Sequence, residues 1–278
     1  MPGAPPPDSS GTQQSVVVRN LDPGRAEYLA IRSRDAQENW SALSNVVSTT
    51  PSDFVQLTFS ERTVGAYAPS VSRDGTKIAF HADYVTSFRH QLYAMSADGS
   101  GATQLTSLPE GAITPDWSPD GSRIAYSVRS FEDPLGSSEL YVVEVAGGSP
   151  QLLESDGSRN SSPAWSPTGD EIAFQSNRTG DDELWIIATS GGEPTRLTDS
   201  SSSEDTAASW SPTGDAIVFA SDRSGNRDLW LISRDGAVET QITFDSWTQT
   251  DPSWSPTGEF IACVVSRDDK GDIRIVRR

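Results

Sequence analysis

A chain of 278 residues with a 35% hydrophobic share is long enough to bury a core, and its 22 glycines and 18 prolines suit many short strands joined by tight turns, not long helices. The formal charge of −18 argues against nucleic acid and anionic membrane as partners, because both would be repelled. The single cysteine, Cys263, excludes an internal disulfide, and no apolar run approaches the roughly 20 residues of a membrane helix, so membrane insertion is not expected.

Residues 1–14 are polar and rich in Pro and Ser; they read as a disordered tail and carry no secretion signal. Residues 15–50 follow as SVVVRNLDPGRAEYLAIRSRDAQENWSALSNVVSTT. Leu21, Pro23, Gly24 and Tyr28 resemble the tyrosine corner of a fibronectin type III domain, and ENWSALSNVV resembles its last hairpin. Only three strands of such a sandwich are present, so the segment reads as a partial domain. The rival reading joins these strands to the next segment as a propeller blade.

From residue 54 to 278 the chain repeats itself. PSVSRDG, PDWSPDG, PAWSPTG, ASWSPTG and PSWSPTG end at Gly75, Gly121, Gly169, Gly214 and Gly258, spaced 46, 48, 45 and 44 residues apart. Periods of this size mark propellers and other repeat folds. Each copy supplies four strands: A at the Trp, B as in EIAFQS, C as in ELWIIA, and a short D ending in QLT or RLT. Ser-Pro-x-Gly is a turn signal, because Pro presets φ and Gly accepts a positive one. Trp117, Trp165, Trp210 and Trp254 recur at one place and are expected to pack between neighbouring units. The expected fold is all-β: a propeller of four-stranded antiparallel blades, five-bladed, with a six-bladed ring as the alternative. The fifth copy lacks a D strand, and FVQLT (54–58) is expected to complete it and close the ring, which leaves no strand edge free.

The pattern PxWSPDGxxIAF, then SxRxGxxxLW, then xLT, resembles the TolB-like propeller repeat, also found in propellers attached to prolyl-oligopeptidase-type peptidases. The first copy departs from it, with Val71 for Trp and Arg73 for Pro. The resemblance implies a periplasmic or cell-surface setting and a protein or peptide partner.

Enzyme signatures are few. There is no G-x-S-x-G elbow, phosphate loop, G-x-G-x-x-G or H-E-x-x-H, so no catalytic residues are assigned and the chain is expected not to be an enzyme. His81 and His90 are the two histidines, fewer than the three or four ligands of a zinc site. No cofactor is called for, although the B–C turns alternate oxygen side chains and offer calcium candidates: Asn177 and Asp181 in one, Asp222, Asn226 and Asp228 in the next. The simpler reading makes these hairpins held by local hydrogen bonds.

In an up-and-down blade the B–C and D–A loops share one face. These are the long, variable loops, and function tends to sit on such loops. Tyr84, Phe88, Arg89, His90, Phe131 and Trp247 are the binding candidates there, since exposed aromatics with Arg anchor interfaces. The competing reading packs them beneath their own loops. The expected function is a non-catalytic protein- or peptide-binding scaffold. The alternatives are a carbohydrate-binding or carbohydrate-cleaving propeller, and a regulatory propeller fragment of a prolyl-oligopeptidase-type peptidase.

Overall fold

The computed structural model describes residues 57–58, 65–83, 89–129, 136–267 and 270–277, with the backbone of two short strands, β1 (Glu27–Leu29) and β2 (Val47–Thr49), which pair antiparallel. The fibronectin-type reading of residues 15–50 otherwise lies outside the described residues.

The repeats fold as five small antiparallel sheets, a five-bladed propeller. The first blade is β3 (Ala66–Val71), β4 (Lys77–Ala82), β5 (Gln91–Ser96) and β6 (Thr103–Gln104). The second is β7 (Ala112–Trp117), β8 (Arg123–Arg129), β9 (Ser138–Glu144) and β10 (Gln151–Glu154). The third is β11 (Asn160–Trp165), β12 (Glu171–Ser176), β13 (Glu183–Ala188) and β14 (Thr195–Arg196). The fourth is β15 (Asp205–Trp210), β16 (Ala216–Ser221), β17 (Asp228–Ser233) and β18 (Glu239–Gln241). The fifth is β19 (Thr248–Trp254), β20 (Phe260–Arg267) and β21 (Lys270–Arg277). Successive first strands pack on one another, β3 on β7, β7 on β11, β11 on β15 and β15 on β19, so they surround a common channel.

Three repeated residues explain why the signature folds this way. The Ser of Ser-Pro-x-Gly accepts the glycine N–H at its carbonyl (2.8–3.0 Å) and the N–H of the residue five positions on at its hydroxyl, for example Arg123 N at 2.9 Å. At Gly169 and Gly214 an added Cβ would lie 3.1 Å from the ring of Pro119 or Pro167 in the preceding blade, so the turns also pack blade on blade. The Trp packs as expected. Trp210, for instance, lies in one cluster with Ala173 and Leu184 of the preceding blade, and its indole N–H donates to Ala164 O at 3.1 Å. The Thr of xLT ties the D segment to strand C. Thr106, Thr198 and Thr243 accept the N–H of Leu92, Leu184 and Leu229 at 2.8–3.0 Å, and their hydroxyls reach Gln91, Glu183 and Asp228.

The fifth sheet has three strands among the described residues. Ile273 and Ile275 on β21 are 50% and 55% exposed, whereas Leu92, Leu184 and Leu229, the equivalents of Ile273, are covered by the following blade. Leu57 packs against the first-blade cluster of Ile78, Phe80, Tyr93 and Met95, as Leu105, Leu197 and Ile242 pack into the blade that follows each of them. The expected pairing of residues 54–56 with the fifth blade lies outside the described residues.

Candidate functional site at the mouth of the channel

Each A strand carries the same irregularity. Ala68, Thr114, Ser162, Ala207 and Asp251, each three residues before the signature aromatic position, have φ between 44° and 56°, and the ladder shifts register at each. A left-handed residue other than glycine is costly, by about 1–2 kcal/mol. In four blades the next residue is proline, which has no N–H to offer. The free edge of every innermost strand is therefore kinked, and in those four blades it also lacks a donor, which protects it from pairing with another strand.

Above these bulges, on the face of the B–C and D–A loops, lies a cavity of about 480 Å³. Its charged lining comes from the third, fourth and fifth blades: Arg159, Asp182, Glu204, Arg227 and Asp251. The residues are aimed by strand starts. Arg159 and Glu204 immediately precede β11 and β15, and Asp182 and Arg227 immediately precede β13 and β17. Arg159 pairs with buried Asp182, which also accepts Gln175 Nε2 at 2.8 Å. Arg227 pairs with Glu204 at 2.5 Å. The mouth thus presents alternating, mutually fixed charges, an arrangement suited to polar, oriented contacts with a peptide or protein surface.

On the first blade the wall is aromatic. Tyr67 stacks on His81 with ring centroids 5.6 Å apart, and His90 meets both edge-on at 5.3 and 4.9 Å. Burial, with His90 beside it, holds His81 down at about 3, so the ring is neutral. Burial also lowers His90, against the pull of Asp83. His81 Nδ1 accepts the Thr114 N–H at 3.2 Å, which leaves the ring proton on Nε2 and no lone pair there for a metal. Among the described residues no three His, Cys, Asp or Glu side chains are placed to hold a metal ion together.

One further carboxyl sits low in the channel wall. Asp116 accepts the Trp165 N–H at 2.8 Å and the Ser70 hydroxyl at 3.1 Å, joining the first and third blades across the second. Burial pushes it up to about 6, against the hydrogen bonds that favour its charged form.

The binding candidates chosen from sequence fall in different places. Tyr84, Phe88 and Phe131 lie outside the described residues. Arg89 donates to Pro109 O at 2.8 Å, and His90 is half-buried in the ring cluster of the first blade. Trp247 belongs to the fifth blade, where it packs against the core and lies between Arg274, 3.8 Å from its ring centre, and Arg267 at 5.2 Å.

The calcium candidates are engaged as hairpin ties. Asn177 and Asp222 accept the N–H of Arg159 and Glu204 at 2.8 Å, and Asp181 accepts that of Ser202 at 3.0 Å. Asn226 donates to Asp245 O and Trp247 O, and Asp228 accepts Ser224 Oγ and Gln241 Nε2. Arg178 and Arg223 complete these turns: each donates to a serine two residues back and reaches the start of its own A strand, Asn160 or Asp205.

The charged mouth was not picked out from sequence. Its signal is a column that breaks the repeat: Gly65, Gly111, Arg159, Glu204 and Thr248 stand six residues before the signature aromatic position.

Residues 74–278 match the family described as TolB beta propeller domain. The Tol-Pal system protein TolB of Albidiferax ferrireducens is 37% identical over 73 residues, 26% of this chain and 16% of that protein. The uncharacterized peptidase YuxL of Bacillus subtilis is 37% identical over 109 residues, 38% of this chain and 16% of that protein. The chain therefore spans about a sixth of these curated relatives. The crystal structure of TolB from Acinetobacter baumannii superposes with a TM-score of 0.72 at 20% identity, over 89% of this chain and 60% of that one, a likeness of fold. No helix among the described residues is long and apolar enough to cross a membrane.

Proposed function

The chain belongs to the TolB β-propeller domain family, and from that premise we propose that it is a non-catalytic scaffold of the cell envelope or surface that binds a protein or peptide at the mouth of its channel. The observation that carries this reading is the cavity of about 480 Å³ with its paired charges, Arg159 with Asp182 and Arg227 with Glu204. The pairing holds four side chains in place before any partner arrives, which lowers the ordering cost of binding. The kinked inner edges argue against a partner that adds a strand inside the channel and favour side-chain recognition at its mouth. The test is site-directed photo-crosslinking from Thr206, which lines the cavity, against extracellular or periplasmic extract of the source organism. A discrete crosslinked polypeptide that is lost when Arg159 is changed to Glu supports the reading. Crosslinks from Glu193, exposed on a C–D turn, that match those from Thr206 would sink it.

The match to a peptidase over 38% of the chain favours a second reading, a regulatory propeller that works beside a peptidase domain. In that case the crosslinked polypeptide would be a hydrolase domain carrying a nucleophile elbow.

A further inference from the structure

The most exposed large apolar side chain among the described residues is Phe244, at 77%. It stands in the D–A loop between β18 and β19, on the face of the channel mouth. Packing does not require an apolar residue there: the residue that follows the tying threonine is Ser107 in the first blade and Asp199 in the third. The loop is nonetheless fixed on both sides of the ring. Before it, the Thr243 hydroxyl accepts the Leu229 N–H at 2.8 Å and the Thr243 carbonyl accepts Gln241 Nε2 at 2.8 Å. After it, Asn226 donates to Asp245 O at 3.0 Å and to Trp247 O at 2.8 Å, and Asp245 Oδ1 accepts the Trp247 N–H at 2.9 Å. The same loop is tied to the cavity wall, because the Gln249 N–H donates at 2.7 Å to the carbonyl of Arg227, which lines the cavity.

On the reading that the mouth is the binding site, we propose that Phe244 is the apolar anchor of that surface, its ring entering an apolar pocket on a protein partner. An aromatic ring held out to water on a fixed loop loses little freedom on binding and gains by leaving water. Its neighbours have the composition of an interface rim. Asp245 is paired with Arg274 at 3.0 Å and Arg227 with Glu204, and all four are partly exposed. That surrounding favours protein over lipid. A membrane-binding loop sets uncompensated basic residues beside its aromatics, whereas Arg274 and Arg227 are each matched by a carboxylate. Val238 is next in exposure at 62%, but it lies on the C–D turn of the fourth blade, on the opposite face, and so serves as the control.

The experiment places the photoreactive analogue p-benzoylphenylalanine at position 244, and separately at position 206, in the full chain, and exposes each to extracellular or periplasmic extract of the source organism. The same polypeptide is expected from both positions, joined to position 244 through an apolar residue that mass spectrometry locates. With the probe at position 206, Phe244→Ser should lower the yield at least ~10-fold, while Val238→Ser leaves it unchanged. F244S should melt at the wild-type midpoint, since the ring is exposed, which separates loss of contact from loss of fold. Capture at position 206 that F244S leaves intact, or a polypeptide at position 244 that differs from the one at 206, overturns this proposal and leaves the mouth reading standing. A crosslink from position 244 to a second copy of this chain, or to lipid, overturns it as well. No capture at position 206 in the otherwise wild-type chain removes the mouth reading, and this proposal with it.

Discussion

Replacing Asp116 by Asn tests whether the buried carboxyl of the channel wall opposes folding at neutral pH. Its ordinary value is 3.8, and burial carries it to about 6 in the fold. The folded state therefore holds this proton more tightly than the unfolded chain. Linkage fixes the sign: stability is greatest below about pH 4, falls as pH rises towards 6, and levels off above that. Each pKa unit is worth about 1.4 kcal/mol, so the full loss is at most about 3 kcal/mol, reduced by the partial exposure of Asp116. The Asn oxygen can still accept the Trp165 N–H, and Ser70 can turn its hydroxyl to accept from the new amide. The difference in unfolding free energy between D116N and wild type, measured by urea titration on tryptophan fluorescence, isolates this group from Asp74 and Asp120. Those turn carboxylates are held at about 2 by hydrogen bonds from Ser72 and Ser118 and push the pH dependence the other way. D116N is expected to gain about 1–3 kcal/mol on wild type between about pH 4 and pH 7.5. A difference that stays flat with pH would refute the reasoning.

Thr198→Val leaves the Leu184 N–H and the Glu183 carboxylate without their shared hydroxyl in a buried site, and is expected to cost about 1–3 kcal/mol by denaturant unfolding. Arg223→Ala strips Asp205, which is fully buried, of its guanidinium and removes the stack on Trp230. Its unfolding free energy should fall by about 3–5 kcal/mol. Ala207→Gly relieves a φ of 56° at one channel bulge and should leave stability unchanged or raise it by up to about 1 kcal/mol, read from the thermal midpoint.

The blade count and the packing role of the tryptophans were legible because each repeat must make the same inter-blade contact, and a contact made over and over leaves a period. The serine and threonine ties lay in plain view as SP and LT, but their partners are backbone groups on another strand, which no spacing reveals. The left-handed bulge was hidden for a physical reason. A residue before proline is expected to be extended, yet Thr114, Ser162 and Asp251 each precede proline and have φ near 50°. The three-ring cluster of Tyr67, His81 and His90 was equally hidden, since it depends on cross-strand register between β3 and β4 and on the return of the chain just before β5.

What repeats cannot select a ligand by itself, because every blade offers the same turn, tie and tryptophan. Selectivity has to come from columns that break the pattern. The column two residues before the first apolar residue of strand C reads His90, Ser138, Asp182, Arg227 and Gly271, and with the column six residues before the signature aromatic position it makes the third and fourth blades charged and gives the first two glycine, histidine and serine. Exchanging the partners of one mouth pair tests this argument directly. In the double variant R227E/E204R the ion pair is kept with its polarity reversed. Both residues are partly exposed, so stability should change by less than about 1 kcal/mol. Crosslinking of a partner from Thr206 should nevertheless collapse, because a partner matched to the original polarity now meets like charges. If the reversed pair captures the same partner as efficiently as wild type, the charges of the mouth hold its shape but are not what the partner reads.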